Sequence, residues 1–329
     1  MDSGSLLEAL RAVAEPTRLR LVALLAESEL TVSDLVSILG QSQPRLSRHL
    51  KLLCDAGVLE RSPEGVNVYF RLTGEAAGEA VRGLLGNLDA DDAQRVLDRR
   101  RLSAIRRSRA VSAESYFQRH AADWDAIRSL HIPEGEVEQA IRKLLPRKKV
   151  CDLLDLGTGT GRMLQLCAAN AERAVGVDQS REMLAVARAN LDAPEYRNCA
   201  LRRASVEQLP FADASFDVVL SHMVLHFLPD PDEAIAEAAR VLRPRGRLIL
   251  VDFAPHDSSV LGAEHAHRWP GFADEQVGEW MEEAGLVVGR PVTLAGGKLT
   301  VKLWRGERPV AAESHQVAIP SEQNFELFQ

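Results

Sequence analysis

A run of alternating glycines, Asp155-Leu-Gly-Thr-Gly-Thr-Gly161, constrains the fold of this chain more than any other segment. It follows an apolar stretch, Val150 to Leu156, that predicts a buried strand, and helix-forming residues come after it. Glycine is needed at such a turn because the backbone must turn sharply and approach a ligand without a Cβ in the way. The run therefore predicts a nucleotide-type site at the carboxyl end of a strand.

The composition limits the classes of protein to which the chain can belong. A length of 329 residues suits two domains, on a prior of about 100–200 residues each. The net charge of −7 argues against a non-specific nucleic-acid coat. We expect a cytoplasmic protein without membrane contact, because no signal pattern and no apolar run of about 18 residues is present. The four cysteines are too far apart for a disulfide framework or a zinc site, and we expect no metal.

The first 75 residues predict a DNA-binding module. Thr31 and Asp34 form a capping-box-like start for a short helix that Gly40 closes. Ser42 is expected to cap the next helix, in which leucines recur at i, i+4 and i+7. Two short helices joined in this way suit a helix-turn-helix. The exposed face of the second helix supplies the expected DNA contacts: Ser42, Gln43, Arg45, Ser47, Arg48, His49 and Lys51.

A β-hairpin is predicted directly after this helix. Its strands are Val58–Arg61 and Val66–Arg71, joined by the turn Ser62-Pro-Glu-Gly65. A hairpin in this place is a wing, and we expect Arg61, Asn67 and Tyr69 to contact DNA. The alternative is a small helical bundle whose basic residues are merely solvated, and the order of the elements disfavours it.

Residues 5–75 resemble the ArsR family of winged-helix repressors. The resemblance is carried by Glu15–Leu21, Ser42–Leu53, Ala56–Leu59 and the wing Gly65–Tyr69. It implies an α+β winged helix-turn-helix that acts as a homodimer, binds double-stranded operator DNA as a repressor and releases it on binding an effector. Metal-sensing members carry cysteines before the recognition helix, where this chain has Thr31 and Ser33. Hydroxyls are poor ligands for soft metals, so the effector must be sensed elsewhere.

Residues 76–110 predict a helical dimerisation and linker segment. Its second part ends in a basic cluster: Arg99, Arg100, Arg101, Arg106, Arg107 and Arg109. A solvated helix face is the favoured interpretation of this cluster, and contact with the DNA backbone is the alternative.

Residues 111–305 alternate strands and helices, which implies a mainly parallel sheet covered on both faces. Arg162 stands where a dinucleotide fingerprint needs its last glycine, and no P-loop lysine follows the run. Asp178, at a strand end 23 positions after Asp155, suits a carboxylate that accepts both ribose hydroxyls of a ligand without phosphate. Residues 306–329 lack periodicity and are expected to be a disordered tail.

Residues 113–305 resemble class I S-adenosylmethionine-dependent methyltransferases of the type that methylates small molecules such as quinones. The motifs are Asp155–Gly161, Val177–Leu184, Val206–Phe211 with Phe216–Val219, Val224–Pro231 and Val241–Leu248. The resemblance implies a Rossmann-like fold with a seven-stranded sheet and S-adenosylmethionine or S-adenosylhomocysteine as the bound cofactor. The cofactor-binding residues that it implies are Asp155, Gly157, Thr158, Gly159, Gly161, Asp178, Gln179, Met183, Ser205, Val206, Glu207 and Ser221, with Tyr116 in a helical cap over the cofactor.

Two departures from this family matter. Ser205 stands where many relatives place an acid for the adenine amino group, so we expect its hydroxyl to bond there and binding to be weaker. Arg245 replaces the first glycine of the usual Pro-Gly-Gly, at a turn expected to accept most residues.

The catalytic residues are the least determined part of the site. His226, His222 and His256 follow strand ends and are the candidates for a base, with a packing role as the alternative. Glu264, His265 and His267 match no metal-ligand pattern. Trp269, Phe272 and Trp280 are expected in a lid or the core.

Three functions follow from the two resemblances. The preferred one is a DNA-binding repressor whose fused domain binds and senses S-adenosylmethionine or S-adenosylhomocysteine, a function that requires no turnover and leaves open whether the domain also methylates a small molecule. The alternatives are primarily a methyltransferase that regulates its own operon, and a sensor of another ligand.

Overall fold

The computed structural model describes residues 1–64, 67–128, 133–256, 268–295 and 299–310, with the backbone alone at 113–114 and 116–128. The N-terminal part contains four helices and a three-stranded sheet of order β1-β3-β2. Its elements are α1 (Ser3–Val13), α2 (Pro16–Leu25), β1 (Leu30–Thr31), α3 (Val32–Leu39), α4 (Gln43–Asp55), β2 (Leu59–Glu64) and β3 (Asn67–Leu72). This is the predicted winged helix-turn-helix.

The ends of α3 and α4 follow local chemistry, with one exception. Thr31 and Asp34 form the predicted capping box, and Gly40 ends α3 with φ of 67°. Ser42 is at the N-cap of α4 but makes no side-chain capping hydrogen bond, so its predicted role as a cap is wrong. The buried leucines Leu46, Leu50 and Leu53 join α4 to one apolar core with α2, α3 and the sheet.

The wing turns later than the sequence predicted. β2 continues through Ser62 and Pro63 to Glu64, which pairs with Asn67 across the hairpin. The proline is therefore in a strand rather than in the turn. An edge strand tolerates it because its missing N–H is not needed by a neighbour, and β2 is at the edge of this sheet.

Two further helices connect the halves. These are α5 (Ala76–Leu85) and α6 (Ala93–Arg128), a single helix of 36 residues. The predicted domain boundary at residues 110 and 111 is inside α6, which packs on α2 and α3 of the N-terminal part and on α9 of the C-terminal half. The connection between the halves is thus a continuous helix.

Arginines of α6 hold the junction. Arg101, Arg106 and Arg109 donate to the backbone oxygens of Ile38, Glu27 and Glu29. Arg99 forms an ion pair with Glu27. The predicted solvated face is wrong for Arg106 and Arg109, which are half-buried in these contacts, whereas Arg99, Arg100, Arg101 and Arg107 are exposed as predicted.

The C-terminal half is built around one mainly parallel sheet of order β10-β11-β8-β7-β4-β5-β6, with the short β9 beside β11. β11 runs antiparallel to β8 and β10. The strands are β4 (Val150–Leu156), β5 (Ala171–Asp178), β6 (Cys199–Arg203), β7 (Phe216–His222), β8 (Leu242–Phe253), β9 (Val287–Val288), β10 (Val292–Leu294) and β11 (Val301–Glu307). The predicted Rossmann-like architecture is confirmed, but the described residues form eight strands in this sheet rather than the expected seven.

Helices cover both faces of this sheet. They are α7 (Glu134–Leu144), α8 (Arg162–Cys167), α9 (Arg181–Asn190), α10 (Pro231–Val241) and α11 (Asp274–Glu283), with short 3-10 helices at Ala168–Asn170, Pro194–Tyr196 and Leu225–Phe227. One apolar cluster lies under α7, α8 and α9, and a second under α10 and α11. Phe272 is fully buried between Trp269 and Trp280, so this aromatic group is core.

Three predictions at the sheet's margins are corrected. The single strand expected over 286–294 is instead the two short strands β9 and β10. Strand β6 was not predicted. The tail does not begin at 306, because Gly306 and Glu307 pair with β8 and Arg308 bonds Gly246. Arg245 adopts φ of 66°, a conformation that favours glycine, so its turn does not accept most residues equally well.

Candidate functional site: a glycine turn joined to a DNA reader

The glycine turn lies between the carboxyl ends of β4 and β5. Gly157, Gly159 and Gly161 all have positive φ, at 62°, 52° and 81°. A Cβ on Gly157 would meet the Val224 side chain at 2.5 Å, whereas a Cβ on Gly159 would meet no described atom closer than 3.9 Å. The first glycine is therefore required by the protein's own packing, and Gly159 leaves room for a ligand.

Two carboxylates hold this turn. Asp155 is buried and accepts a hydrogen bond of 2.6 Å from Thr158 Oγ1. The pKa of Asp155 is raised to about 7, because burial and the charge of Asp178 raise it by more than the Thr158 hydrogen bond lowers it. Asp178 accepts the backbone N–H of Gly159 on Oδ2 at 2.9 Å and that of Ser180 on Oδ1 at 2.8 Å.

Asp178 therefore has acceptor capacity for a ligand. A carboxylate offers about four lone-pair sites, and two of them are occupied by these backbone bonds. The remainder can accept the two hydroxyls of a ribose, which is the role predicted for this residue. Ser180 then caps α9 by accepting from the N–H of Met183 at 3.2 Å, and this predicted cap is confirmed.

A chain of polar side chains continues from Asp178 toward the end of β6. Gln179 Nε2 donates to Ser205 Oγ, and Ser205 Oγ donates to Glu207 Oε2, both at 2.9 Å. The Ser205 hydroxyl proton is thus directed to Glu207, which differs from its expected bond to adenine. Glu207 Oε1 is buried and has no hydrogen-bond partner among the described residues.

These observations fit S-adenosylmethionine. Gly159 leaves open space on the turn, Asp178 has free acceptor sites, and Glu207 Oε1 is an unsatisfied buried acceptor for an amino group. Val206 is buried beside Glu207, Met183 is half-buried at the start of α9, and Ser221 is buried at the end of β7. The predicted cofactor residues therefore meet at one edge of the sheet, except Tyr116, whose side chain lies outside the described residues.

His226 is enclosed rather than open to a substrate. It is 2% exposed, and its Nδ1 lies 2.7 Å from Oδ1 of the fully buried Asp252. Its ring packs on Phe227 and Phe253 with centroids 4.1 and 5.3 Å away. Asp252, which the sequence analysis did not identify, fixes this ring and so joins the loops after β7 and β8.

The structure gives less direct evidence about the other two candidates for a base, His222 and His256. His222 ends β7 and is half-buried, and His256 follows β8 with its ring 6.1 Å from that of Phe253. Glu264, His265 and His267 lie outside the described residues. Among the residues that are described, no group of three possible ligands could hold a metal ion.

The predicted DNA-contacting residues divide into two groups. On α4, Ser42, Gln43, Arg45, Ser47, Arg48 and Lys51 are exposed, and His49 is half-buried with Nδ1 3.8 Å from Glu15. On the wing, Arg61 and Asn67 are exposed. Tyr69 instead lies under the Arg188 guanidinium, 3.5 Å from the ring centroid, and so contacts the C-terminal half in this structure.

None of the helices in the described ranges is long and apolar enough to cross a bilayer.

Comparison with known proteins identifies both halves. Residues 15–61 match the model of bacterial regulatory proteins of the arsR family, and residues 154–250 match a methyltransferase domain. The chain is 33% identical over 184 residues to an arsenite methyltransferase of Aquipseudomonas alcaligenes, covering 46% of this chain and 50% of that protein.

Other relatives extend the comparison. A 27-O-demethylrifamycin SV methyltransferase of Amycolatopsis mediterranei is 40% identical over 139 residues, 41% of this chain and 50% of the relative. The protein YafE of Escherichia coli is 32% identical over 42% of this chain and 70% of its own length. This chain spans about half the length of the first curated relatives it matches.

Solved structures share the fold. The complex of the Haloferax volcanii Trm112 methyltransferase activator with a methyltransferase matches at a TM-score of 0.50 and 22% identity, over 60% of this chain and 97% of that one. The chain therefore joins a helix-turn-helix of the bacterial arsR family, at residues 15–61, to a methyltransferase domain that matches over residues 154–250.

Proposed function

We propose that the protein is a DNA-binding repressor whose methyltransferase domain binds S-adenosylmethionine or S-adenosylhomocysteine, and that the bound cofactor changes its affinity for an operator. The observation that carries the proposal is the meeting of two intact sites in one chain. The glycine turn is held on Asp178 with acceptor sites to spare, and α4 presents an exposed polar face. A homodimer on a two-fold operator is the expected assembly.

The same domain is proposed to methylate a small molecule. The cofactor supplies the methyl group from its sulfonium, and the protein must hold the acceptor in line with it and exclude water. The names of its relatives support this activity, and the enclosed His226–Asp252 pair supports a role in fixing the loops after β7 and β8 around the acceptor.

The cysteines do not support arsenite as the acceptor. Arsenite favours thiolate ligands. Burial raises the pKa values of both Cys167 and Cys199 to about 12, so these thiols stay protonated at neutral pH. Cys54 is in the winged helix and Cys151 is at the exposed start of β4. A small organic nucleophile is therefore the proposed acceptor class.

The test is fluorescence anisotropy of a duplex that the full chain selects from random sequence, titrated with and without saturating S-adenosylhomocysteine. The proposal expects the cofactor to shift the dissociation constant by a factor within about 5–150. An unchanged dissociation constant at saturation would refute the sensor function.

The substitution Asp178→Ala distinguishes cofactor binding from DNA binding. We expect it to weaken S-adenosylhomocysteine binding at least about tenfold in calorimetry, because charge-assisted hydrogen bonds are lost. It should retain DNA binding without cofactor and remove the effect of S-adenosylhomocysteine on that binding. Asp213→Ala is the matched control, since that side chain is 73% exposed and distant in the sequence from the turn.

Cofactor-dependent formation of S-adenosylhomocysteine on a panel of phenols, quinols, amines and thiols tests turnover.

A further inference from the structure

Helix α9 contacts both proposed sites. Its first turn is fastened to the cofactor end of the sheet, because Ser180 caps it while donating its own N–H to Asp178. Its second half faces the winged helix. The helix has ten residues and is therefore about 15 Å long, which is short enough to move as a rigid unit.

Arg188 is the main contact at the second half of α9. Its guanidinium donates to both carboxylate oxygens of Glu64, which is the last residue of β2 before the turn of the wing. Its Nε donates to Glu29 at 3.2 Å, and Tyr69 of β3 lies against its face. Arg188 and Glu64 are 5% and 3% exposed.

This ion pair is sensitive to geometry. A bidentate arginine–carboxylate pair requires a defined orientation of both groups. Because the pair is buried, separating it leaves two charges without solvent. A displacement of α9 therefore moves the wing with it, because the interface between them cannot adjust without separating the pair.

Neighbouring contacts strengthen the same junction. Asp192, just beyond α9, accepts from Ser28 Oγ at 3.0 Å and forms an ion pair with Arg106 of α6. Arg71 of β3 donates to the backbone oxygen of Cys199 at 2.7 Å. One face of the wing is thus covered by the methyltransferase domain, while Arg61 and Asn67 remain exposed for DNA.

We propose that α9 transmits cofactor occupancy to the wing, with the Arg188–Glu64 pair as the contact that links the cofactor site to DNA affinity. Cofactor hydroxyls that bond to the remaining lone pairs of Asp178 displace the carboxylate that holds the first turn of α9, and the resulting shift of the helix repositions the wing. This inference rests on the proposed function, since it names the regulation of that same site.

The experiment compares three variants of the full chain. Arg188→Met keeps the aliphatic length and removes the charge. Arg188→Met with Glu64→Leu removes both charges, so that no buried carboxylate is left by that pair if the single variant folds poorly. Arg202→Met is the matched control, because Arg202 forms another ion pair with the wing, to Glu60 at 3.0 Å, but belongs to β6 rather than α9.

Each variant is titrated with the selected duplex by anisotropy, with and without S-adenosylhomocysteine, and with the cofactor alone by calorimetry. In both Arg188 variants the ratio of the two DNA dissociation constants should fall to within about twofold of one. The affinity for DNA without cofactor and the affinity for the cofactor without DNA should each stay within about threefold of wild type. Arg202→Met should keep the wild-type ratio. A wild-type ratio in the double variant overturns the inference and leaves the proposed function intact.

Hydrogen exchange gives a readout without DNA. On addition of S-adenosylhomocysteine, wild-type peptides covering 59–64 and 67–72 should change protection, and those of the Arg188 variants should not. A wild-type protein that binds S-adenosylhomocysteine without any change in the wing peptides contradicts the inference. Failure of the wild type to bind S-adenosylhomocysteine refutes the proposed function, and the inference with it.

Discussion

Gly159 donates its backbone N–H to Asp178 Oδ2 at 2.9 Å, and the turn after β4 is thereby tied to the acid that ends β5. The bond relates two positions that the sequence separates by a strand and a helix. It explains why the glycine at 159 and the carboxylate at 178 act as one site, and why both the turn and α9 depend on a single side chain.

Asp155 should make stability depend on pH. Burial raises its pKa to about 7 from the ordinary value of 3.8, so the folded chain holds a proton between these values that the unfolded chain has lost. Stability from this group is therefore lost as pH rises from 4 to 7. Asp155→Asn should gain on the order of 4 kcal/mol relative to wild type between pH 4.5 and 8. Urea unfolding of both proteins measures this, and a difference that does not change with pH contradicts it.

Glu207 should determine the preference for adenine. Its unsatisfied Oε1 is the buried acceptor beside Ser205, which suits a 6-amino group and repels a 6-oxo group. Wild type should bind S-adenosylhomocysteine more tightly than S-inosylhomocysteine, and Glu207→Leu should reduce the preference by about tenfold or more. Glu233→Leu, on the first turn of α10, is the control. Calorimetry that finds equal preferences in Glu207→Leu and wild type would exclude this role.

The exposed arginines of α4 should contribute to DNA binding through phosphate or base contacts. Arg45→Ala and Arg48→Ala should each weaken binding of the selected duplex. For a phosphate contact, the slope of log affinity against log salt should fall by about 0.9. Arg290→Ala, an exposed arginine of the methyltransferase domain, should leave both quantities unchanged. Salt titrations by anisotropy measure both quantities. If the protein with both Arg45→Ala and Arg48→Ala binds the duplex with full affinity, α4 is not the helix that contacts DNA.

Arg245 should be a site of stored strain. Its φ of 66° is costly for any residue with a Cβ, and glycine adopts it freely. Arg245→Gly is therefore expected to raise the free energy of unfolding by about 1 kcal/mol. Thermal unfolding is the measurement. Arg243→Gly, whose side chain pairs with Asp152 and Asp217, should do the opposite. A loss of stability in Arg245→Gly would show that the side chain itself stabilises the turn.

Local signals in the sequence predicted both domains and most of the cofactor site. The capping box at Thr31, the glycine at 40 and the apolar strand before Asp155 each depend on neighbouring residues, and the structure confirms them. The strand β6 was missed because its five residues, Cys199–Arg203, mix apolar and basic side chains without a clear alternation.

Contacts between distant residues could not be predicted in this way. Glu64 looked like a turn residue because Ser-Pro precedes it and glycine follows, yet it is buried by Arg188, 124 positions away. Arg106 and Arg109 of α6 looked solvated for the same reason, since their carbonyl partners lie before α3. Asp252 was not identified because its partnership with His226 depends on the sheet order.

The most direct test of the account is the affinity of the full chain for S-adenosylhomocysteine, measured by calorimetry with the protein free and then saturated with its selected duplex. Coupling between two sites is reciprocal, so DNA must change the cofactor's dissociation constant by the factor with which the cofactor changes that of DNA. The account predicts the same factor from both directions, of at least about five. Identical affinities for the free and the DNA-bound protein would contradict it.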